Sequence, residues 1–158
     1  MGIVAWRIVV HHDRQQREAG YKEVLNEIGQ SLTEPGRLQR GEVYFISLNP
    51  TVGREQAGRR PVVVVSRNIL NNLPLVVCVV PGTRGIKVLA DYLSNARVPA
   101  GEANLAEETV FMTFHARAVD HSRFKEAPIG QLRQDWMDKI DTALAWTFNL
   151  QTASPGTP

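Results

Sequence analysis

The chain is short of several features that would otherwise settle its class. It has one cysteine in 158 residues, which excludes an internal disulfide. That residue, Cys78, lies within Leu75-Val76-Val77-Cys78-Val79-Val80 and reads as a small apolar core residue. No apolar run reaches the roughly 18 residues that a membrane span needs. Met1–Val10 is apolar but carries Arg7 and runs into His11-His12-Asp13, a poor match to a secretory leader. A cytoplasmic protein with no membrane partner is expected. Histidines, cysteine and carboxylates nowhere take metal-ligand spacing, and no glycine-rich phosphate loop occurs, so neither metal nor cofactor is predicted. Excess charge of one sign is lacking too. The net charge of +2 is too mild for a chain that coats nucleic acid without selectivity.

What remains is an ordinary globular composition, 43% hydrophobic and 22% charged, at a length that fits one domain with a real core. Residues 1–39 form an N-terminal extension of balanced charge. Within it Tyr21, Val24, Leu25, Ile28 and Leu32 recur at helical steps until Pro35-Gly36. Residues 40–150 form the main domain, and its stretch from Arg40 to Lys125 holds eleven basic and seven acidic residues. The positive excess is therefore local. Strands are predicted at Gly41–Leu48, Pro61–Ser66, Leu75–Val80 and Thr109–Phe114, with less regular ones at Lys87–Leu93 and Ala96–Pro99. Asn71-Asn72-Leu73-Pro74 and Pro81-Gly82-Thr83-Arg84-Gly85 read as turns. A helix over Pro128–Thr147 carries Ile129, Leu132, Trp136, Met137, Ile140, Ala143 and Leu144 on one apolar stripe. The pattern predicts a mainly β fold, a small antiparallel barrel or sandwich with a C-terminal helix packed across it. Residues 151–158 are polar, end in Pro-Gly-Thr-Pro, and are expected to be disordered.

The densest signal is the loop Asn49-Pro-Thr-Val-Gly-Arg-Glu-Gln-Ala-Gly-Arg-Arg-Pro61, set between two apolar runs. Its glycines permit close backbone approach to a ligand, and its arginines are forked donors suited to phosphate. Arg60 stands at a strand onset, where its backbone is better fixed than in mid-loop. A lone arginine is commonly a solvated charge; Gly53, Glu55, Gln56 and Gly58 around it favour a polyanion site. Thr83 follows the Leu75–Val80 strand and has a hydroxyl to offer, although turn threonines are usually structural. Arg84 beside it is either a second phosphate contact or a surface charge. His115, just after the Thr109–Phe114 strand and two residues before Arg117, is a candidate acid or base. A histidine at a strand end is more often simply packed.

Gly41-Glu42-Val43-Tyr44, Asn49-Pro50-Thr51, Gly53-x-Glu55-Gln56-x-Gly58-x-Arg60-Pro61, Val79-Val80-Pro81-x-Thr83 and the C-terminal helix together closely resemble the MazF/PemK family. The resemblance covers about Arg40 to Leu150. It implies an SH3-like barrel that forms a homodimer. It further implies the toxin half of a toxin–antitoxin pair, a metal-independent endoribonuclease that cuts single-stranded RNA at short motifs. An acidic, partly disordered antitoxin peptide is the implied protein partner. Carried over by motif position, the catalytic residues are Arg60, Thr83 and Glu55. The RNA-binding set is Gly53, Arg54, Gln56, Arg59, Arg84, His115 and Arg117. Some members place a catalytic Arg and Asp where this chain has Met112 and Phe114, and a His where it has Arg54. The chain thus resembles the branch that works through Arg60 and Thr83.

Metal-free scission uses the 2′ hydroxyl as nucleophile and leaves a 2′,3′-cyclic phosphate and a 5′ hydroxyl. Arg60 suits the charge of the phosphorane, Thr83 adds a hydroxyl, and Glu55 and His115 are both candidates to take the 2′ proton. The alternative is a barrel of the same fold that acts by binding, either as a gyrase poison or as an RNA- or antitoxin-binding protein. Gyrase-poisoning relatives use apolar C-terminal residues, whereas this chain ends Ala-Ser-Pro-Gly-Thr-Pro. For residues 1–39 two readings stay open: a helix that packs on the barrel, or an extension translated from a misplaced start. The second is favoured because the family match begins at Arg40.

Overall fold

β-Branched residues have few χ1 options and fill a pleated surface well, so Val62-Val63-Val64 and Val76-Val77 are strong strand formers. A computed structural model of the chain describes residues 38–71, 76–88 and 91–150. The helix expected over Tyr21–Leu32 and the 151–158 tail lie outside the described residues. Seven strands form the sheet: β1 Glu42–Ser47, β2 Arg59–Val64, β3 Val76–Arg84, β4 Asn95–Val98, β5 Thr109–Met112, β6 Arg117–Asp120 and β7 Gly130–Gln131. Their order is β4-β5-β3-β2-β1-β7, with β6 also on β3, and every pairing is antiparallel. A short helix, α1 (Asn68–Asn71), follows β2, and α2 (Gln134–Thr147) closes the domain.

Alternation feeds two cores. Val43, Val63 and Val80 point to one face and meet Phe111, Val98, Met137 and Ile140, so α2 packs there. Tyr44, Ile46, Leu48, Val62, Val64, Val77, Val79 and Val119 point to the other face, with Leu38. A sheet buried on both faces at its centre has curled around itself into a half-barrel.

Several predicted boundaries move, each for a physical reason. β3 does not stop at Val80 but runs through Pro81, Gly82 and Thr83 to Arg84, so Thr83 is a strand residue and not a turn residue. Proline is tolerated because its nitrogen faces away from β2, toward an edge where the facing chain leaves the ladder. Gly82 pairs with Phe111 and Val79 with Arg117, so the two residues between them on β3 face five on the β5–β6 side. The surplus, Thr113–His115, forms a 3₁₀ turn, which is why β5 ends at Met112 and not at Phe114. No strand forms at the described residues of Lys87–Leu93. Lys87 belongs to a 3₁₀ turn, Gly85–Lys87, and Arg97 bonds the carbonyls of Gly85 and Val88.

The last helix begins at Gln134, not Pro128. The amides of Ile129 and Leu132 donate instead to the Val43 carbonyl of β1 and the Gly41 carbonyl just before it, at 2.8 and 2.9 Å, and thereby close the sheet edge. Glu102 fixes the new helix start by accepting from the Arg133 amide at 2.9 Å. Cys78 is exposed, not buried. It alternates with the buried Val77 and Val79 and faces outward beside Ala118 of β6, where neither core extends.

Candidate active site

The loop joining β1 and β2 is short and tied at its neck. Leu48 and Gly58 close it by a 3.0 Å amide–carbonyl bond, and the Asn49 side chain accepts from the Gly58 amide at 2.9 Å. Gly53 and Gly58 have φ of +60° and +79° with open space where a Cβ would stand, so the backbone angle alone calls for glycine. Arg123 anchors the loop from outside, donating to the Ser47 and Asn49 carbonyls at 2.6 and 2.7 Å.

The strand leaving this loop carries Arg60 and Pro61. β2 and β3 pair from Val64–Val79 to Val62–Pro81 and no further. The Val65 amide donates to the Cys78 carbonyl at 3.0 Å, so hydrogen-bonded rungs fall at every second pair from there. The next such rung past Val63–Val80 would join Pro61 to Gly82, and proline has no N–H to give. One step beyond, the same register sets Arg60 opposite Thr83 with both side chains on one face. The Arg60 Nη1 donates to Thr83 Oγ1 at 3.3 Å, and its Nε donates to the Ala57 carbonyl at 2.6 Å. Of five N–H donors on the guanidinium, three have no partner among the described residues. Thr83 accepts one bond and keeps its own proton unassigned. Both residues form part of the wall of a cavity of about 230 Å³.

A second depression of about 350 Å³ adjoins the loop and is lined by Glu55, Gln56, Phe114, His115, Ala116 and Arg117. Arg117 lies 3.6 Å from the Glu55 carboxylate. His115, lifted out of the ladder by the 3₁₀ turn, rests against the Phe114 ring, with centroids 4.4 Å apart. Burial lowers its pKa first, the positive charge of Arg60 lowers it further, and the Glu55 carboxylate opposes both. His115 is therefore held neutral and within electrostatic reach of both partners. The Gln56 carbonyl oxygen is buried with no partner among the described residues.

Residues 39–148 match the family described as PemK-like, MazF-like toxin of type II toxin–antitoxin system. The chain belongs to this family. Endoribonuclease EndoA of Bacillus subtilis (strain 168) is 33% identical over 107 residues, 68% of this chain and 90% of that protein. Endoribonuclease MazF of Staphylococcus epidermidis is 31% identical over 113 residues, 72% of this chain and 92% of its own length. The fold is that of crystalline MazF from Deinococcus radiodurans, with a TM-score of 0.62 at 21% identity over 72% of this chain and 98% of that one. It is likewise that of a mycobacterial endoribonuclease in complex with its cognate antitoxin, TM-score 0.58 at 21% identity, covering 73% and 98%.

Within this PemK/MazF-like domain the predicted residues divide by position. Arg60 and Thr83 are in contact, Glu55 pairs with Arg117, and His115 senses Arg60 and Glu55. Arg59 and Arg84 turn to the rim, where Arg59 meets Glu126 at 2.5 Å and Arg84 meets Glu107 at 3.0 Å. Gly53 and Arg54 sit exposed on the loop, and the Arg54 guanidinium has no partner among the described residues. Sequence reasoning missed Phe45, Lys87 and Thr109 in the Arg60 cavity, and Arg123 behind the loop. Phe45 had a signal, since it pairs with Pro61 and so flanks the Arg-Pro motif. Among the described residues no group of three or more His, Cys, Asp or Glu side chains is placed to hold a metal ion. No helix there is long and apolar enough to cross a membrane.

Proposed function

We propose that this chain is the toxin of a type II toxin–antitoxin pair and cleaves single-stranded RNA without a metal ion. The observation that carries the reading is the Arg60 guanidinium, tied to Thr83 Oγ1 at 3.3 Å with donors to spare beside a cavity. A phosphodiester seated there is gripped by a permanent, forked cation and a hydroxyl. In the proposed step the 2′ oxygen attacks phosphorus and its proton passes to Glu55 or His115. The P–O5′ bond then breaks as the 5′ oxygen takes a proton, either back from the group that received the 2′ proton or from water, leaving a 2′,3′-cyclic phosphate and a 5′ hydroxyl. Arg60 and Thr83 bind the charge that builds on the phosphorane. The neutral state of His115 suits it to accept a proton.

Gly53, Arg54, Gln56, Arg59, Arg84 and Arg117 would hold the flanking strand. The functional unit in this reading is residues 40–150, acting as a homodimer in the cytoplasm, with residues 1–39 an extension it does not need. An acidic antitoxin peptide complements the net positive stretch from Arg40 to Lys125. The relatives named endoribonuclease, each matched over 90% or more of its length, support the activity.

The test is incubation of the purified chain with a long single-stranded RNA in the presence of EDTA. Discrete fragments with cyclic phosphate and 5′ hydroxyl ends are expected, with none from Arg60→Ala. Abolition by EDTA would overturn the metal-free assignment, and RNA that is bound but never cut would favour the binding-only barrel.

A further inference from the structure

The mechanism leaves one exposed aromatic side chain unused at the centre of the cationic face. Phe45 of β1 is 37% exposed although its strand neighbours Tyr44 and Ile46 are buried. It pairs across strands with Pro61, next to Arg60, and the Arg59 guanidinium lies over its ring at 5.5 Å. Phe45 and Arg59 both line the Arg60–Thr83 cavity and also a larger groove of about 510 Å³. That groove brings Arg123 and Lys125 alongside, against Asp120 and Glu126. The pair is thus a wall that the two depressions share.

A polyanion with flat, apolar side groups fits such a surface. Unpaired nucleobases stack on aromatic rings and on arginine planes, while the phosphates between them need cations. An apolar protein segment would instead meet arginines and a lysine on the groove walls. Resting on the endoribonuclease reading, we infer that Phe45, braced by Arg59, is the stacking platform for a base beside the scissile phosphate. It acts as a specificity and positioning residue and takes no part in proton transfer.

The wild-type cleavage site is first mapped on a long transcript. A short oligonucleotide spanning it then carries a 2′-deoxy nucleotide at the cut, so that it binds intact, and 2-aminopurine at successive positions. Wild-type protein and Phe45→Tyr are expected to quench the fluorophore at one position adjoining the cut. Phe45→Leu keeps the apolar bulk but loses the ring. It should lose that quenching and bind about 5- to 150-fold more weakly, the range that one stacked base contributes. Arg59→Gln, which leaves the ring in place, should retain the quenching at that position with weaker binding. Wild-type affinity and quenching by Phe45→Leu would overturn the inference, as would quenching unchanged at every position. Wild-type protein that neither binds nor cuts RNA would overturn the endoribonuclease reading with it, a result distinct from a loss confined to the Phe45 variants.

Discussion

Replacing the Thr83 hydroxyl by a methyl group separates two roles that geometry alone leaves superimposed. Thr83 is 8% exposed near the end of β3, so Thr83→Val keeps shape and strand preference while removing one oxygen. If the hydroxyl only orients Arg60, the loss is that of one hydrogen bond to a charged group, about 1.5 to 3 kcal/mol. The 3.3 Å separation is longer than is usual for a charge-assisted bond, which selects the low end, near tenfold. If its unassigned proton also serves the phosphorane, kcat falls on the order of 100- to 1000-fold with KM little changed, as when a transition-state donor is removed. The larger loss is expected. The Arg60→Ala/Thr83→Val double variant should then lose less than the product of the single effects, since both groups hold one phosphate. Single-turnover cleavage of a defined RNA gives the rates, and urea midpoints check that each variant folds. A tenfold or smaller loss, or strict multiplicativity, would refute the donor role and leave Thr83 as a prop for Arg60.

The His115 titration followed by NMR should have a midpoint below the ordinary 6.5, rising in Arg60→Gln and falling in Glu55→Gln, because Arg60 lowers and Glu55 raises it; an unmoved midpoint would mean that the three are not neighbours. Since His115 binds its proton more weakly folded than unfolded, stability is lost as pH falls through the interval below 6.5, and His115→Gln should flatten that slope in urea midpoints against pH. Gly82→Ala sets a Cβ 2.6 Å from Thr109 Cγ2 and 3.1 Å from the Phe111 ring, an overpacking of about 1–3 kcal/mol. It should lower the urea midpoint at constant m, and an unchanged midpoint would show that β3 and β5 part easily there. Arg54→Ala, at an exposed and unpaired cation, should weaken RNA binding evenly across sequences and flatten the plot of log affinity against log salt by about 0.7; no change in slope would remove Arg54 from the phosphate contacts. Pro61→Ala restores an N–H aimed at β3, so the amide at 61 should be protected in hydrogen exchange and cleavage should fall as the cleft zips shut. Rapid exchange at 61 would mean that something else ends the ladder.

The sequence was most legible where one physical rule dominated. β-Branched runs between turn formers located β1, β2 and the first half of β3, because no competing pattern crosses them. The loop motif was legible because glycines, arginines and an Arg-Pro step are individually uncommon and jointly more so. Pairings between distant segments decided the rest. Ile129 and Leu132 fit a helical stripe but serve as hydrogen-bond donors to β1 and to Gly41 just before it, an assignment that depends on an open edge nearly ninety residues earlier. Cys78 and Phe45 sit in apolar runs yet reach solvent, since local pattern gives the face on which a residue lies and not whether anything covers that face.

The site itself is a case where two local signals acquire their meaning from register. Arg60 and Thr83 are twenty-three residues apart, and each alone is more simply read as a solvated charge and a structural hydroxyl. The Val62–Pro81 pairing fixes their juxtaposition, since counting on by two residues along each strand reaches both. Pro61 then does what no side-chain donor or acceptor can. By withholding one N–H it ends the β2–β3 ladder at the rung before Arg60, leaving that cross-strand pair unclamped at the edge of a cavity. Placing the proline one residue earlier would put the missing donor on the other edge of β2, against β1, where Ile46 pairs with position 60. The order arginine then proline therefore has a structural cause that is independent of any ligand, and it makes the guanidinium available to one.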